Sequence, residues 1–360
     1  MAFLELHILQ NVAPANLNRD DTGNPKDAMF GGVRRARISS QALKRAMRLA
    51  LRQTLPASEL ATRTKRVAEL VADRLPDRPR ADVVLAAGRV FESAGIKVST
   101  PKDGDPETGY LILLGDDEAA RLAALVEKHW DTLTAKKPDL AAVKAPARAA
   151  LRAASVDVAL FGRMVADLPE VGVDGACAVA HAIGTHRLAA EFDYFTALDE
   201  LSRPDETGAA MIESTGFNSA TFYRYLVIDL GELESRVGRE RVEAAVPSII
   251  RAAVLALPGG KQRAFAAYNP PSFVLATVRT GAPMSLANAF VAPVRPDEGR
   301  DLVTASVEAL VTYRDGVVAM YGDGRLEAVA ALAQPGIGIG SLEAHRVGSL
   351  DELVATITHP

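Results

Sequence analysis

The sequence predicts an α+β protein, in which a small sheet is interrupted by a helical insertion and carries a projecting arm. Three observations predict it. A two-residue hydrophobic alternation over residues 2–10 gives way to a helical period at 43–51, the chain turns Ala-, Leu- and charge-rich between 56 and 154, and β-branched and aromatic runs return after 177. The resulting order is strand, helix, insertion, strand, long connection, strand, helix, strand. That is the split βαβ arrangement of ferredoxin-like and RRM-type sheets.

Each element has a local reason. In the first strand Phe3, Glu5, His7 and Leu9 share one side, and Ala2, Leu4, Leu6, Ile8 and Gln10 share the other. Leu43, Ala46, Met47, Ala50 and Leu51 then form one apolar stripe of a helix, with Ser39 or Ser40 placed to cap it. Lys44, Arg48 and Arg52 recur every four residues on another face, beside Gln41 and Arg45. The insertion reads as helices over 59–75, 82–94, 116–133 and 139–153. Between the second and third of these, 96–99 and 110–114 are placed to pair as a hairpin around a Pro- and Gly-containing turn.

Strand character resumes at 177–183 and strengthens at 221–230, followed by a helix over 232–257 and a strand over 272–279. The connection 191–219 is long for a compact domain. Its apolar residues Phe192, Tyr194, Phe195, Met211, Ile212 and Phe217 read as anchors of an ordered arm with Arg203, Pro204, Asp205 and Gly208 at its tip. Ser349 and Glu352 form a capping box for a short last helix.

A chain of 360 residues, 48% hydrophobic and 24% charged, has ordinary globular composition and room for two packed units. No apolar run reaches the roughly 18–20 residues that span a bilayer, and the N-terminus lacks signal-peptide character. The expectation is a cytoplasmic protein. Cys177 is the single cysteine, so it has no partner for an internal disulfide, and its Ala- and Val-rich surroundings predict a buried thiol.

Charge is unevenly distributed. Between Asn16 and Arg52 nine Lys and Arg face three Asp, a local balance of +6 in a chain of net charge −4. A basic island on an acidic protein is the footprint of a phosphate-backbone site. Gly31 and Gly32 read equally as a plain turn or as a place where the backbone approaches a phosphate. Lys136 and Lys137, with Lys128 and Lys144 nearby, form a second basic patch, which a solvated helix end also explains.

No motif calls for a cofactor or a metal. Gly336, Gly338 and Gly340 lack the dinucleotide spacing and read as a flexible surface loop, and His181 and His186 are five apart and read as structural. Asp20, Asp21 and Asp27 are the one acidic cluster that could serve a metal-dependent RNA-guided ribonuclease. Their basic neighbours make partners within the loop the simpler reading.

In Leu17-Asn18-Arg19-Asp20-Asp21, Lys26-Asp27-Ala28, Phe30-Gly31-Gly32 and Arg37-Ile38-Ser39-Ser40-Gln41 the chain resembles the CasC backbone subunits of type I-E CRISPR Cascade. Further matching stretches include Asp157-Val158-Ala159-Leu160-Phe161-Gly162-Arg163-Met164, Asp193-Tyr194-Phe195-Thr196-Ala197, Lys261-Gln262-Arg263 and Tyr268-Asn269-Pro270. The resemblance implies a hand-shaped protein with an RRM-like palm (1–55, 156–190, 220–360), helical fingers (56–155) and a thumb hairpin (191–219).

It further implies that copies stack head to tail along a CRISPR RNA guide, presenting it to target DNA beside other Cascade subunits. Cleavage is left to a recruited nuclease-helicase, so the subunit itself is not an enzyme. Arg19, Lys26, Gly31, Gly32, Arg37, Ser39, Gln41, Lys44, Arg45 and Arg48 fall in the guide-gripping motif. Met164 is an apolar wedge against a displaced base, and Lys136, Lys137 and Lys144 are placed toward target DNA. Because base pairing reads the sequence, such a protein grips phosphate and sugar and leaves base edges free.

Overall fold

The computed structural model describes residues 2–102, 104–152, 155–197, 211–296 and 299–359. The tip of the expected arm, including Arg203, Pro204, Asp205 and Gly208, lies outside the described residues, as do residues 153 and 154 at the end of the fourth expected helix. The chain divides into two compact units. One is formed by residues 51–178 and 228–248, the other by 2–50, 179–227 and 249–360.

The second unit is built on a large, mainly antiparallel sheet. Its strand order is Leu326–Ala333, Phe273–Arg279, Phe3–Ala15, Met211–Asp229, Ala182–Gly184, Val33–Ile38 and Asp27–Phe30. The first strand runs five residues past the alternation that announced it. Residues 4–10 are buried on both sides, so Glu5 and His7 are core residues. Burial of these polar groups requires partners. Glu5 accepts from the Tyr225 hydroxyl at 2.6 Å and the Met284 amide at 2.8 Å, and pairs with Arg279. His7 Nδ1 meets the Tyr223 hydroxyl at 2.9 Å, and burial lowers its pKa to about 3.

Two apolar clusters support this sheet. Leu9, Phe273, Leu275, Phe290, Leu310 and Val311 belong to one, against the helix Leu302–Tyr321. The other gathers Val12, Leu17, Ile38, Leu43, Phe222 and Ala267 beneath the basic motif. Neither the helix Leu302–Tyr321 nor the edge strand Leu326–Ala333 was legible in the split βαβ order. Ile337 and Ile339 are buried in the first cluster, so the glycine-rich 336–340 segment is seated rather than a free surface loop.

The arm is a hairpin at its base, with Glu191 opposite Phe217 and Ala197 opposite Met211. Phe192, Tyr194 and Phe195 are exposed on it and are not anchors. The expected helix over 232–257 is two helices, Leu230–Val237 and Arg239–Leu255, divided by Gly238 at φ +86°. Ser349 caps the last helix, Leu350–Thr358, by accepting from the Glu352 amide, while the Glu352 carboxylate takes the Gly348 amide.

The other unit packs the helices Val67–Ala72, Arg80–Ala94, Asp116–Lys128 and Ala141–Ala150 around Val71, Val83, Phe91, Leu122 and Val143. Two expectations change here. Val98–Ser99 pairs with Glu107–Thr108, whereas Ile112–Gly115 pairs with Ala61–Thr64. Ile112–Gly115 is buried throughout, with Ile112 and Leu114 in the helical core and Leu113 against Ala61 and Val158. In place of the helix expected over 59–75, residues 61–64 are a strand and the helix spans Val67–Ala72.

This unit also extends past residue 155. The helix Val156–Phe161, capped by Ser155, is fully buried up to Leu160 and receives the Ala61 amide on Asp157. Cys177 is buried. Among the described residues no helix is long and apolar enough to cross a membrane.

Candidate nucleic-acid interface

The basic motif folds as two linked turns. Asp20 Oδ1 accepts from the Thr22 amide, the Thr22 hydroxyl and the Asn24 amide at 2.8–2.9 Å, closing a tight loop whose ends meet at Arg19 and Pro25. These donors hold the Asp20 pKa below the usual carboxylate range, the Thr22 hydroxyl most of all. Asp27 accepts from Arg34 at 2.7 Å. Asp20 and Asp27 are thus engaged inside the loop while Asp21 is exposed, and among the described residues no three His, Cys, Asp or Glu side chains gather as a metal-binding group.

Asn18 ties this loop to the strand Val33–Ile38 and to the start of the helix Ser40–Leu51. Its carbonyl accepts from the Lys26 amide and its side-chain oxygen from the Ser39 amide, each at 2.8 Å, while the Lys26 carbonyl takes the Arg37 amide at 2.9 Å. Lys26, Arg37 and Ser39 are thereby brought together across the intervening turn. Arg37 Nε also donates to the Asp27 carbonyl at 3.0 Å, which fixes its guanidinium along the strand.

Asp27–Phe30 and Val33–Ile38 form a hairpin closed by Gly31 and Gly32 at φ +59° and +76°. Those angles are what a two-residue turn of the primed kind demands. A Cβ on Gly31 would lie 1.8 Å from the Val291 carbonyl, so the protein's own chain makes the close approach there. The turn accounts for both glycines without a phosphate.

Arg35 also corrects the charge count. It is buried, donating to the carbonyls of Gly184, Thr185, Phe290 and Val291 at 2.8–3.2 Å, and burial lowers its pKa. It stitches the hairpin to two distant segments, so its guanidinium is committed to the protein's own carbonyls rather than presented to an outside phosphate. The balance of +6 therefore overstates the outward cations.

Ser39 is buried as well. Its hydroxyl accepts from the Ala42 amide at 3.3 Å and its carbonyl from the Leu43 amide, so it caps the helix Ser40–Leu51. The Ser40 amide donates to His181 Nδ1 at 2.9 Å. That bond requires a neutral imidazole, and the His181 pKa is lowered by burial first and then by Arg37 and Lys26. His181 thus supports the start of the motif helix, a contact that its spacing from His186 did not reveal. His186 bonds the Arg187 carbonyl, so both histidines keep their structural reading.

Along the helix no acid occupies the first turn, Gln41 and Arg45 are exposed, and Lys44 and Arg48 are half-buried. Arg19 is exposed and Lys26 half-buried. Neither Lys26 nor Lys44 makes an ion pair among the described residues. Cations, a capped helix start and backbone turns are suited to phosphate and sugar.

Met164 stands in the other unit, 83% exposed. The residue before it explains why it stays so. Arg163 is buried, pairs with both carboxylate oxygens of buried Glu118 at 2.7 and 2.9 Å, and donates to the carbonyls of Leu113, Leu151 and Val171. Burial pushes the Glu118 carboxyl up, and Arg163 pulls it back. Gly162, at φ +80°, passes too close to the Val173 carbonyl for a side chain, and Arg163 and Val173 exchange two backbone bonds of 2.8 Å. Met164 is therefore a preset apolar projection. Lys136 and Lys137 lie between the helices Trp130–Thr134 and Ala141–Ala150, with Lys144 on the latter, and all three are exposed.

No curated protein matches the chain by sequence. Two solved structures align over 98% of this chain and 99% of theirs. One is from a CRISPR RNA-guided surveillance complex in a pre-nicking state, at 30% identity and a TM-score of 0.86. The other is from a CRISPR RNA-guided surveillance complex, at 27% identity and a TM-score of 0.77. Residues 4–356 match the model of the CT1975-like proteins, Cas_CT1975. With nearly its whole length inside that match, the chain belongs to the CT1975-like protein family.

Proposed function

We propose that this protein is the guide-RNA-binding backbone subunit of a type I-E CRISPR surveillance complex, of the CasC kind. The observation that carries the reading is the end-to-end likeness, at 30% identity, to a chain of an RNA-guided surveillance complex. The sheet unit serves as an RRM-like palm, the helical unit as fingers and the hairpin at 191–219 as a thumb. Copies stack head to tail along the guide. Arg19, Lys26, Arg37, Gln41, Lys44, Arg45 and Arg48 hold guide phosphates and sugars, and the turn at Gly31 and Gly32 and the cap at Ser39 shape that grip.

Met164 separates adjacent bases, so that short guide segments remain open for target DNA. Lys136, Lys137 and Lys144 track the phosphates of that DNA. The subunit cuts nothing itself and works beside other Cascade subunits with a recruited nuclease-helicase. Purifying the tagged protein from cells with a CRISPR array and sequencing the RNA that travels with it tests the reading. Repeat-flanked guide RNA is the expected cargo, and absence of RNA refutes it. Adding complementary RNA and Mg²⁺ to the assembled complex is expected to leave that RNA intact, whereas regular cuts identify a ribonuclease.

A further inference from the structure

The segment 259–270 holds two of the three non-glycine residues with positive φ among the described residues. Lys261 and Ala266 take left-handed backbone angles, φ +45° and +50°, on either side of a single helical turn, Gln262–Phe265. Side chains rarely adopt that conformation, and it persists only where surrounding contacts over-determine it. Those contacts are present. A Cβ on Gly260 would lie 2.3 Å from the Leu17 carbonyl, so this segment presses against the start of the basic motif. Lys261 Nζ donates to the Thr215 hydroxyl at 3.0 Å, and buried Gln262 donates to the Ala267 carbonyl at 3.0 Å. Asn269 accepts from the Ala13 amide at 3.0 Å through its side chain and from Gln10 through its carbonyl at 2.6 Å.

Between these pins Tyr268 is held 70% exposed, and Arg263 is exposed without an ion pair among the described residues. The backbone that carries this aromatic ring is already ordered, so part of the ordering cost of binding is met before a ligand arrives. Its setting selects the ligand. The loop abuts Leu17, one residue before Asn18 and two before Arg19, and a planar group delivered alongside phosphates is a nucleobase.

We propose that Tyr268 is a stacking platform for one unpaired base of the RNA strand gripped by the Asn18-centred loop, with Arg263 on an adjoining phosphate. The proposal rests on the reading of the chain as a guide-RNA binder, and its test separates the two. The full chain is titrated with single-stranded RNA carrying 2-aminopurine, at several salt concentrations. Tyr268→Ala is expected to weaken binding about fivefold or more with an unchanged salt slope, and to abolish the quenching of 2-aminopurine. Tyr268→Phe keeps both, and Arg263→Ala lowers the slope by about 0.7.

Binding within twofold of the parent and unchanged quenching in Tyr268→Ala overturn the stacking proposal. A Lys26→Ala/Lys44→Ala chain tested in parallel decides the underlying reading. Loss of slope there with no Tyr268 effect leaves the guide grip standing without the platform, and a Tyr268 effect without loss of slope leaves the platform without that grip.

Discussion

Replacing Lys26 and Lys44 together by Ala removes two cations that make no ion pair among the described residues and that border the Asn18 loop and the start of the Ser40–Leu51 helix. Each is half-buried, and neither supplies a side-chain bond to the core. Folding stability is therefore expected to stay within about 0.5 kcal/mol. Guide affinity is not. Each lost phosphate contact on a single strand lowers the slope of log affinity against log salt by about 0.7, so the pair lowers it by about 1.4. Raising salt fourfold then costs the parent about sevenfold more affinity than it costs the variant. Fluorescence anisotropy with guides of two unrelated sequences measures both slopes, and the loss should be the same for each. Arg239→Ala, which removes a cation paired with Glu243, is the control and should leave the slope alone. Parallel salt plots for the parent and the double variant would falsify the assignment of these lysines to guide phosphates.

Other expectations rest on single observations. Glu118→Ala leaves Arg163 as an unpaired buried charge and should cost about 3–5 kcal/mol, read as a lower urea midpoint at constant m-value; a shift below about 1 kcal/mol refutes the pair as an anchor. Gly31→Ala must clear the Val291 carbonyl and hold a positive φ, so a loss of more than about 1 kcal/mol is expected in thermal melts. His181 should titrate below its ordinary value of about 6.5, and bound guide should raise the midpoint by neutralising Arg37 and Lys26. Because its folded pKa is the depressed one, its stabilising bond to Ser40 is present above about pH 6.5 and is lost as pH falls through the lower folded value; an NMR midpoint above the ordinary value contradicts this. Neutralising Lys136, Lys137 and Lys144 should weaken duplex binding by the complex and leave guide retention unchanged, and loss of both would place these lysines in the RNA groove.

The residue pattern by itself determined what depends on neighbours a few positions away. The 2–10 alternation, the stripe from Leu43 to Leu51, the Ser39 cap and the Ser349 cap are local regularities, and each appears where its period or spacing puts it. The basic island was equally legible, because net charge over a short stretch needs no fold to be counted. Tertiary structure decided which of those charges face outward. Arg35, unlike Arg34 and Arg37, is met by four carbonyls from residues 184–185 and 290–291, and nothing in the local sequence announces acceptors so far away. The same holds for Ile112–Gly115, whose apolar run states that it will be buried but not that Ala61–Thr64 will pair with it. His181 enters the motif only because Ile38 lies opposite Ala182 in the sheet. Periodicity is set by local backbone geometry, whereas buried polar groups go wherever the folded chain supplies a partner, since leaving one unmet costs more than the bond itself returns.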